Sequence, residues 1–277
     1  MASSTSTTLD DLFANIIAQA RFTAEEQSLM LGLVTQYNIA GQAGKTIQVP
    51  KYPAIAAAGL TEGTDMSSTT VSTSSVAVTV GEVGAQVVLT DLAAMGAGNP
   101  ADELGTVLGN AIATKIDTDL IGLFSGFSGA LGAAGAEITV ADLFKAAATL
   151  RANKVTGSMA AVVHPFQAYQ LKANLTNTFA NPNGGDLQNE AMRNGYVGTI
   201  AGIDVYESAN VAVDGSDDAV AAVFAPEALA IAIKSDFNLE VQRDASLRAN
   251  ELNATAVYGV GELDDSFGVK ITADAAL

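Results

Sequence analysis

Hydrophobic residues at helical spacing predict helices in the first half of the chain. The first 44 residues begin polar and then carry apolar side chains at Leu12, Ile16, Ile17, Leu29, Leu33 and Val34. This spacing predicts an arm with one or two short helices, because Gly41 and Gly44 end the pattern.

A longer helical pattern begins at Asn99 and Pro100. Asparagine caps helices well, proline suits the first helical position, and Asp102 and Glu103 suit the positive end of the helix dipole. Apolar residues then follow at three- or four-residue steps, at Leu104, Val107, Leu108, Ala111, Ile112, Ile116, Leu120 and Leu123. The pattern predicts a helix of about 25 residues, which is roughly 37 Å long at 1.5 Å per residue.

Alternation of apolar and polar residues, which is typical of strands, flanks a polar segment between residues 45 and 90. The alternating apolar positions are Ile47 and Val49 on one side and Val76, Val78 and Val80 on the other. The segment between them is rich in Ser, Thr and Gly and buries too little surface to fold alone. The pattern predicts a long β-hairpin that projects from the body and rests on another surface, since an isolated hairpin is marginal in water.

The second half of the chain predicts an α/β lobe followed by long strands. Residues 125–136 read as a glycine-rich linker, and Thr139 with Asp142 forms a capping pair for the next helix. A buried strand over 159–163 ends at His164, and a second helix begins at Pro165. Further strands are predicted at 196–206, 219–224, 228–234, 237–243, 252–262 and 267–272.

The charge of the chain argues against nucleic-acid and membrane binding. The net charge is −17, and 13 Lys and Arg residues are scattered among 30 Asp and Glu residues. Binding to phosphates needs clustered cations, so we expect neither direct DNA or RNA binding nor attraction to an anionic membrane. The same acidity also serves simply to keep a protein soluble.

Composition also limits the chemistry and the core. The chain has no cysteine, which excludes disulfides, thiolate zinc sites and a cysteine nucleophile. The N-terminus lacks the basic region and apolar core of a signal peptide, so we expect a cytoplasmic, soluble protein.

Only 6% of residues are aromatic. With so many small side chains, we expect burial against partner subunits to matter as much as burial within one chain.

Two motifs resemble enzyme sites without their structural context. GAGNPA at residues 96–101 matches the dinucleotide pattern, with Asp117 and Asp119 near the ribose-binding distance, but the helix leads into a glycine linker instead of a βαβ unit. Ser128, Asp142 and His164 follow the order of a hydrolase triad. The segment around Ser128 nevertheless lacks the final glycine of a nucleophile elbow.

Acidic turns offer only a weak metal-site hypothesis. Asp214, Asp217 and Asp218 form one turn, and Asp264 and Asp265 form another, but neither has the glycine and glutamate positions of an EF-hand. A weak surface site for Ca²⁺ or Mg²⁺ stays open beside the simpler interpretation of solvated turns. We therefore assign no catalytic, cofactor-binding or metal-binding residue and expect no enzyme activity and no cofactor.

The order of the predicted elements resembles the major capsid proteins of tailed bacteriophages that share the HK97 fold. Residues 99–126 (NPADELGTVLGNAIATKIDTDLIGLFSG) are similar to the spine helix of that family, and residues 141–171 to its central lobe. GYVGTIAGIDVYESANV at 195–211 resembles its glycine-punctuated strand pair, and residues 245–263 resemble its C-terminal strand entry.

The resemblance implies an α+β fold divided into four regions. These are an N-terminal arm (1–44), an extended β-hairpin loop or E-loop (45–90), a peripheral domain with the spine helix (91–124 and 236–277), and an axial α/β domain (125–235). The family also implies a shell of pentamers and hexamers that encloses phage DNA without binding it specifically. A portal protein and either a separate scaffolding protein or direct assembly are expected, decoration proteins stay open, and the location is the virion, after assembly in the host cytoplasm.

Some members of the family crosslink a lysine of the E-loop to an asparagine of a neighbour. The expected tip here, residues 55–70, contains no lysine, and Lys45 and Lys51 lie nearer the base. We therefore expect no covalent crosslinking. Gly105 and Gly109 in the spine suggest that the helix bends between pentamers and hexamers. Encapsulin nanocompartments share the fold and remain an alternative, and an acidic surface-layer or adhesin module and a soluble hydrolase are alternatives from other classes.

Overall fold

A computed structural model describes residues 28–53, 55–57, 59–63, 65–66, 68, 70–92, 100–178 and 196–276. The helices are α1 (Pro100–Gly122), α2 (Val140–Ala152) and α3 (Pro165–Thr178). The strands are β1 (Thr35–Asn38), β2 (Thr46–Lys51), β3 (Ser74–Thr79), β4 (Gly81–Thr90), β5 (Gly129–Gly132), β6 (Met159–Val163), β7 (Tyr196–Ile200), β8 (Ile203–Glu207), β9 (Asp218–Phe224), β10 (Leu229–Asp244), β11 (Ala249–Glu262) and β12 (Gly268–Asp274). This mixture confirms the expected α+β class.

One sheet has six strands in the order β5-β12-β9-β6-β8-β7 and forms the larger core. All five residues of β6 are buried. Helices α2 and α3 cover one face, where Leu143, Leu150 and Leu171 pack in the same cluster as Ile203 and Val223. Apolar residues on both faces of a central strand are what a sheet covered on both sides requires.

The other face of this sheet meets the end of α1. Phe224 on β9 is fully buried, and its ring centre lies 5.4 Å from that of Phe124, which follows α1. The six-stranded sheet therefore completes its core with groups from its own chain.

A second sheet has four strands in the order β1-β10-β11-β4. Helix α1 covers one face, where Leu108 packs with Leu252 and Ala254 of β11. Strand β10 is continuous from Leu229 to Asp244, although the sequence predicted two strands at 228–234 and 237–243. The register of its pairing with β11 shifts between Ile233 and Asn238, and this irregularity produced the apparent break in the pattern.

Strands β2 and β3 pair antiparallel, from Thr46 opposite Thr79 to Lys51 opposite Ser74. This is the hairpin that the alternating pattern predicted. Residues 81–90, which the sequence placed in the same loop, instead form β4 and pair with β11. We call β2 and β3 the E-loop base and residues 52–73 the E-loop tip.

The helix predicted from the spacing of Leu29, Leu33 and Val34 is wrong. Only a 3₁₀ turn forms, at Met30–Gly32, and β1 follows it directly. The backbone N–H groups of Leu29 and Met30 each donate to the carboxylate of Asp117 on α1, at 3.1 Å, and β1 pairs in parallel with β10. Tertiary partners therefore overrode the local helical pattern. The part of the arm before residue 28 lies outside the described residues.

The prediction of a linker over residues 125–136 is also wrong in part, because Gly129–Gly132 forms β5 beside β12. Gly132 has a φ of +75°, and a Cβ at this position would lie 3.2 Å from the carbonyl carbon of Thr272. Glycine is needed here for close approach of two backbones, which a composition-based prediction of a flexible linker does not detect.

Candidate assembly surfaces

The E-loop base is anchored on the four-stranded sheet. Alternate residues of β11 point to opposite faces, so the face opposite α1 carries Val257, Gly259 and Gly261. Strand β3 crosses this face, where Val78 and Val80 are buried in a cluster with Ile39 and Ala232.

An ion pair joins the E-loop base to the end of β11. The Lys51 ammonium lies 2.7 Å from a carboxylate oxygen of Asp264. Burial raises the pKa of Asp264, but the hydrogen bonds from Lys51 and Ser266 outweigh burial and hold that pKa below its ordinary value. Burial and the neighbouring carboxylate of Asp265 raise the pKa of Glu262. Lys51 thus provides positive charge beside a group of three carboxylates.

The E-loop tip exposes large apolar side chains. Tyr52, Ile55, Leu60 and Met66 are exposed by 69%, 60%, 66% and 74%, respectively. Val71 is exposed by 42%, and the other described residues of the tip are also exposed. Exposed apolar residues gathered on one projecting element are typical of a surface that another molecule covers.

The spine helix α1 is fixed to the segment that precedes β1. Buried Asp117 accepts a hydrogen bond of 2.7 Å from the Ser28 hydroxyl, in addition to the two backbone N–H groups described above. Gly105 and Gly109 lie buried near Leu108 on this helix. Their role in bending the helix stays a prediction.

The glycine-punctuated pair of strands is β7 and β8. Ala201 and Gly202 at the turn between them have φ values of 58° and 80°, as two-residue hairpin turns require. A guanidinium nitrogen of Arg151, at the end of α2, donates to the Ala201 carbonyl oxygen at 3.0 Å. The strand pair predicted in this segment is thereby confirmed, and its turn is tied to the helical layer.

The residues of the apparent hydrolase triad each bind other groups. The Ser128 hydroxyl donates to Asp265, and Asp142 forms the capping box with Thr139 that the sequence predicted. Nδ1 of His164 accepts from the backbone N–H of Phe166 at 3.3 Å, and burial lowers the pKa of His164. The geometry gives these residues the roles of caps and turn contacts.

The other candidate motifs also have structural roles. Asp119 accepts a hydrogen bond of 2.8 Å from the Tyr258 hydroxyl, and burial together with this carboxylate raises the pKa of Tyr258. Asp214 accepts from the backbone N–H groups of Ser216 and Asp218. Among the described residues, no group of three or more His, Cys, Asp or Glu side chains is arranged to hold a metal ion. Most of the GAGNPA motif lies outside the described residues.

Comparison with known proteins places the chain in a family. A model of the phage capsid protein family matches residues 72–271 of the 277. The chain therefore belongs to the phage capsid protein family. The resemblance to HK97-fold major capsid proteins is confirmed, and this phage capsid protein forms the shell of the phage head. A search of curated proteins finds no match.

Solved structures of similar fold include several capsids. The capsid of cyanophage P-SCSP1u has a TM-score of 0.73 at 16% identity, over 90% of this chain and 89% of that chain. The head of Helicobacter pylori bacteriophage KHP40 has a TM-score of 0.71 at 12% identity, over 90% of this chain and 92% of that chain. The holo-SrpI encapsulin complex from Synechococcus elongatus has a TM-score of 0.65 at 11% identity, over 90% and 88%.

These low identities show the fold, and the family match carries the assignment to a phage capsid protein. The encapsulin match confirms that encapsulins share the architecture. In the described part of the chain, no helix has both the length and the hydropathy needed to cross a membrane.

Proposed function

We propose that this capsid protein assembles into pentamers and hexamers that close an icosahedral head around phage DNA. The observation that best supports this assembly is the contrast within the E-loop: Val78 of its base and the adjoining Val80 are buried on their own subunit, while its tip exposes Tyr52, Ile55, Leu60 and Met66. Burying these side chains on a neighbouring subunit removes apolar surface from water, which contributes about 25 cal/mol per Å². Many such contacts in one shell multiply the effect.

The proposed subunit divides into regions that the two sheets mark. The axial domain corresponds to the six-stranded sheet with α2 and α3, and it takes in β12 (Gly268–Asp274), which the sequence had placed in the peripheral domain. The peripheral domain corresponds to α1 with the four-stranded sheet, including β1 and all of β10. The E-loop then comprises β2, the tip and β3.

The acidic chain suits a container for DNA more than a DNA-binding protein. With a net charge of −17, its surface repels phosphates on average, so the DNA is enclosed without specific contacts. We further propose that the shell has no enzymatic role and that it assembles in the host cytoplasm with scaffolding and portal proteins.

Encapsulin-type shells are the second candidate, because the SrpI encapsulin has the same fold. The two functions differ in cargo and in accessory proteins. A phage shell receives DNA through a portal, whereas an encapsulin encloses a protein. The match of the phage capsid family model over residues 72–271 favours the phage function.

Expression of the chain followed by size-exclusion chromatography and negative-stain electron microscopy tests the proposal. We expect closed shells or ring-shaped capsomers. A folded monomer at high concentration contradicts it. Production of particles during infection, followed by nuclease treatment and analysis of the protected contents, separates the two shells: protected DNA supports a phage head, and a co-purified enzyme supports an encapsulin.

A further inference from the structure

The path of the E-loop base across the four-stranded sheet depends on the end of β11. Strand β4 pairs with β11 as far as Gly81, which lies opposite Tyr258. The preceding strand, β3, then turns out of the sheet and crosses the face of β11 directly above Gly259 and Gly261. This crossing is the point at which the E-loop leaves the body of the subunit.

Glycine is required at the crossing by space and not by backbone angle, because neither residue has a positive φ. A Cβ at position 259 would lie 2.7 Å from the carbonyl carbon of Thr79 and overlap its oxygen. A Cβ at position 261 would lie 2.9 Å from Cγ2 of Val78. Distances this short force one of the two strands to move, and at Gly259 the obstacle is backbone, which cannot rotate away.

Contacts on either side of the crossing fix the hairpin in the same position. The backbone N–H of Val80 donates to the Lys45 carbonyl oxygen at 2.8 Å, and the Lys234 ammonium donates to the Gly44 carbonyl oxygen. Further along β2, Lys51 makes its ion pair with Asp264 at 2.7 Å. The Val80–Lys45 bond closes the two strands of the hairpin on each other, and the Lys234 and Lys51 contacts tie the hairpin to the body at two separate points before any neighbour is present.

We propose that Gly259 and Gly261 are positioning residues for assembly, which set the direction of the E-loop in the free subunit, with the Lys51–Asp264 pair as a lock. The partner of the loop is a second copy of this chain, so this inference rests on the proposed function. Its consequence is that the loop bends beyond the Lys51–Ser74 pair, within the tip, and that the base does not rotate on the sheet.

The test introduces a methyl group at the crossing and at a matched control position. G259A and G261A place a Cβ against β3, whereas G81A adds the same methyl group at the neighbouring Gly81, where a Cβ would meet nothing within 4 Å. Hydrogen exchange of β2 and β3 is measured in unassembled subunits, and shell yield is measured by sedimentation and electron microscopy.

We expect amides of β2 and β3 in G259A to exchange about ten- to a hundredfold faster, since overpacking raises the population of open states. Exchange in β6 should be unchanged, and shell yield should be lost. G261A should increase exchange of β2 and β3 by a smaller factor than G259A. The double variant V78A/G261A removes the methyl group that opposes the new Cβ, so its exchange should be slower than that of G261A. V78A alone is the reference for this double-mutant cycle. G81A should behave as the parent chain in both measurements.

Unchanged exchange of β2 and β3 in both G259A and G261A would overturn the inference, whatever happens to assembly. If G259A does not fold, the test is the comparison of G261A with V78A/G261A. Equal exchange of β2 and β3 in those two variants also overturns the inference. If the parent chain forms no shells, the proposed function fails, while the exchange measurements still test whether these glycines fix the E-loop.

Discussion

The six-stranded sheet buries its apolar residues, whereas the E-loop tip exposes them. In the sheet, Phe224 is fully buried against Phe124, and all five residues of β6 are enclosed by helices of the same chain. In the E-loop tip, Leu60 and Met66 are exposed by 66% and 74%. The sheet is stabilised by its own subunit, whereas the tip has apolar surface that the described residues of its own subunit leave exposed. The difference separates apolar surface that is buried on folding from apolar surface that is available for assembly.

The largest expected effect separates the two regions through a core aromatic ring. F224A should lower the free energy of unfolding of the free subunit by about 3–5 kcal/mol, because it removes a fully buried ring and leaves a cavity. The matched control is F144A on α2, where the ring is 51% exposed, and a change within about 0.5 kcal/mol is expected. Urea denaturation measures both variants. If F224A lowered the free energy of unfolding by no more than F144A does, the sheet would not depend on the packing of Phe224.

The junction between the two regions should show a smaller, pH-dependent effect. Burial and the carboxylates of Asp265 and Asp264 raise the pKa of Glu262 in the folded state. A raised pKa means that Glu262 contributes stability below its unfolded value, near pH 4.3, and that this contribution is lost as the pH rises through the folded value. E262Q removes the charge and keeps a donor toward Asp265.

We therefore expect E262Q to raise the free energy of unfolding at pH 7 by less than about 1 kcal/mol, and with it the melting temperature, and to have no such effect near pH 3.5. Thermal melts of free subunits at the two pH values measure this difference, and E240Q on the exposed side of β10 is the control. A gain of the same size at both pH values would refute the electrostatic explanation.

The smallest expected change in subunit stability is in the tip, where the effect on assembly should be large. The quadruple variant Y52S/I55S/L60S/M66S replaces side chains that are exposed in the free subunit. Its free energy of unfolding should stay within about 0.5 kcal/mol of the parent chain, since these side chains are mostly exposed. Shell yield, measured by sedimentation, should fall sharply, while T61A at an exposed polar position should assemble normally. Normal shells from the quadruple variant would contradict a role for the tip.

Much of the fold was predictable because local signals agreed with the tertiary structure. The capping pair of Thr139 and Asp142 and the proline at position 165 marked the starts of α2 and α3 correctly. Strand β1 was missed because its partner, β10, lies almost 200 residues later in the chain. A glycine caused the error over residues 125–136. Glycine is typical of flexible linkers, but Gly132 permits a close approach between the backbone of β5 and that of Thr272 on β12.

The assembly surfaces were predictable in outline only. A polar hairpin needing an external partner followed from the alternating pattern, but its apolar tip residues carry no spacing that separates them from core residues. Gly259 and Gly261 gave one usable signal, since glycines inside a strand often mark a close approach of another backbone. The sequence of β11 alone does not show that β3 is the segment that crosses these glycines.

Burial of the E-loop tip on assembly is the most direct test of the whole account. The chain has no cysteine, so L60C provides a single thiol at the tip. The rate of maleimide labelling is compared between free subunits and assembled shells, with labelling in denaturant as the reference for full access. We predict rapid labelling of free subunits and strong protection in shells. Equal labelling rates in the two states would show that the tip contacts no neighbour and would contradict the account.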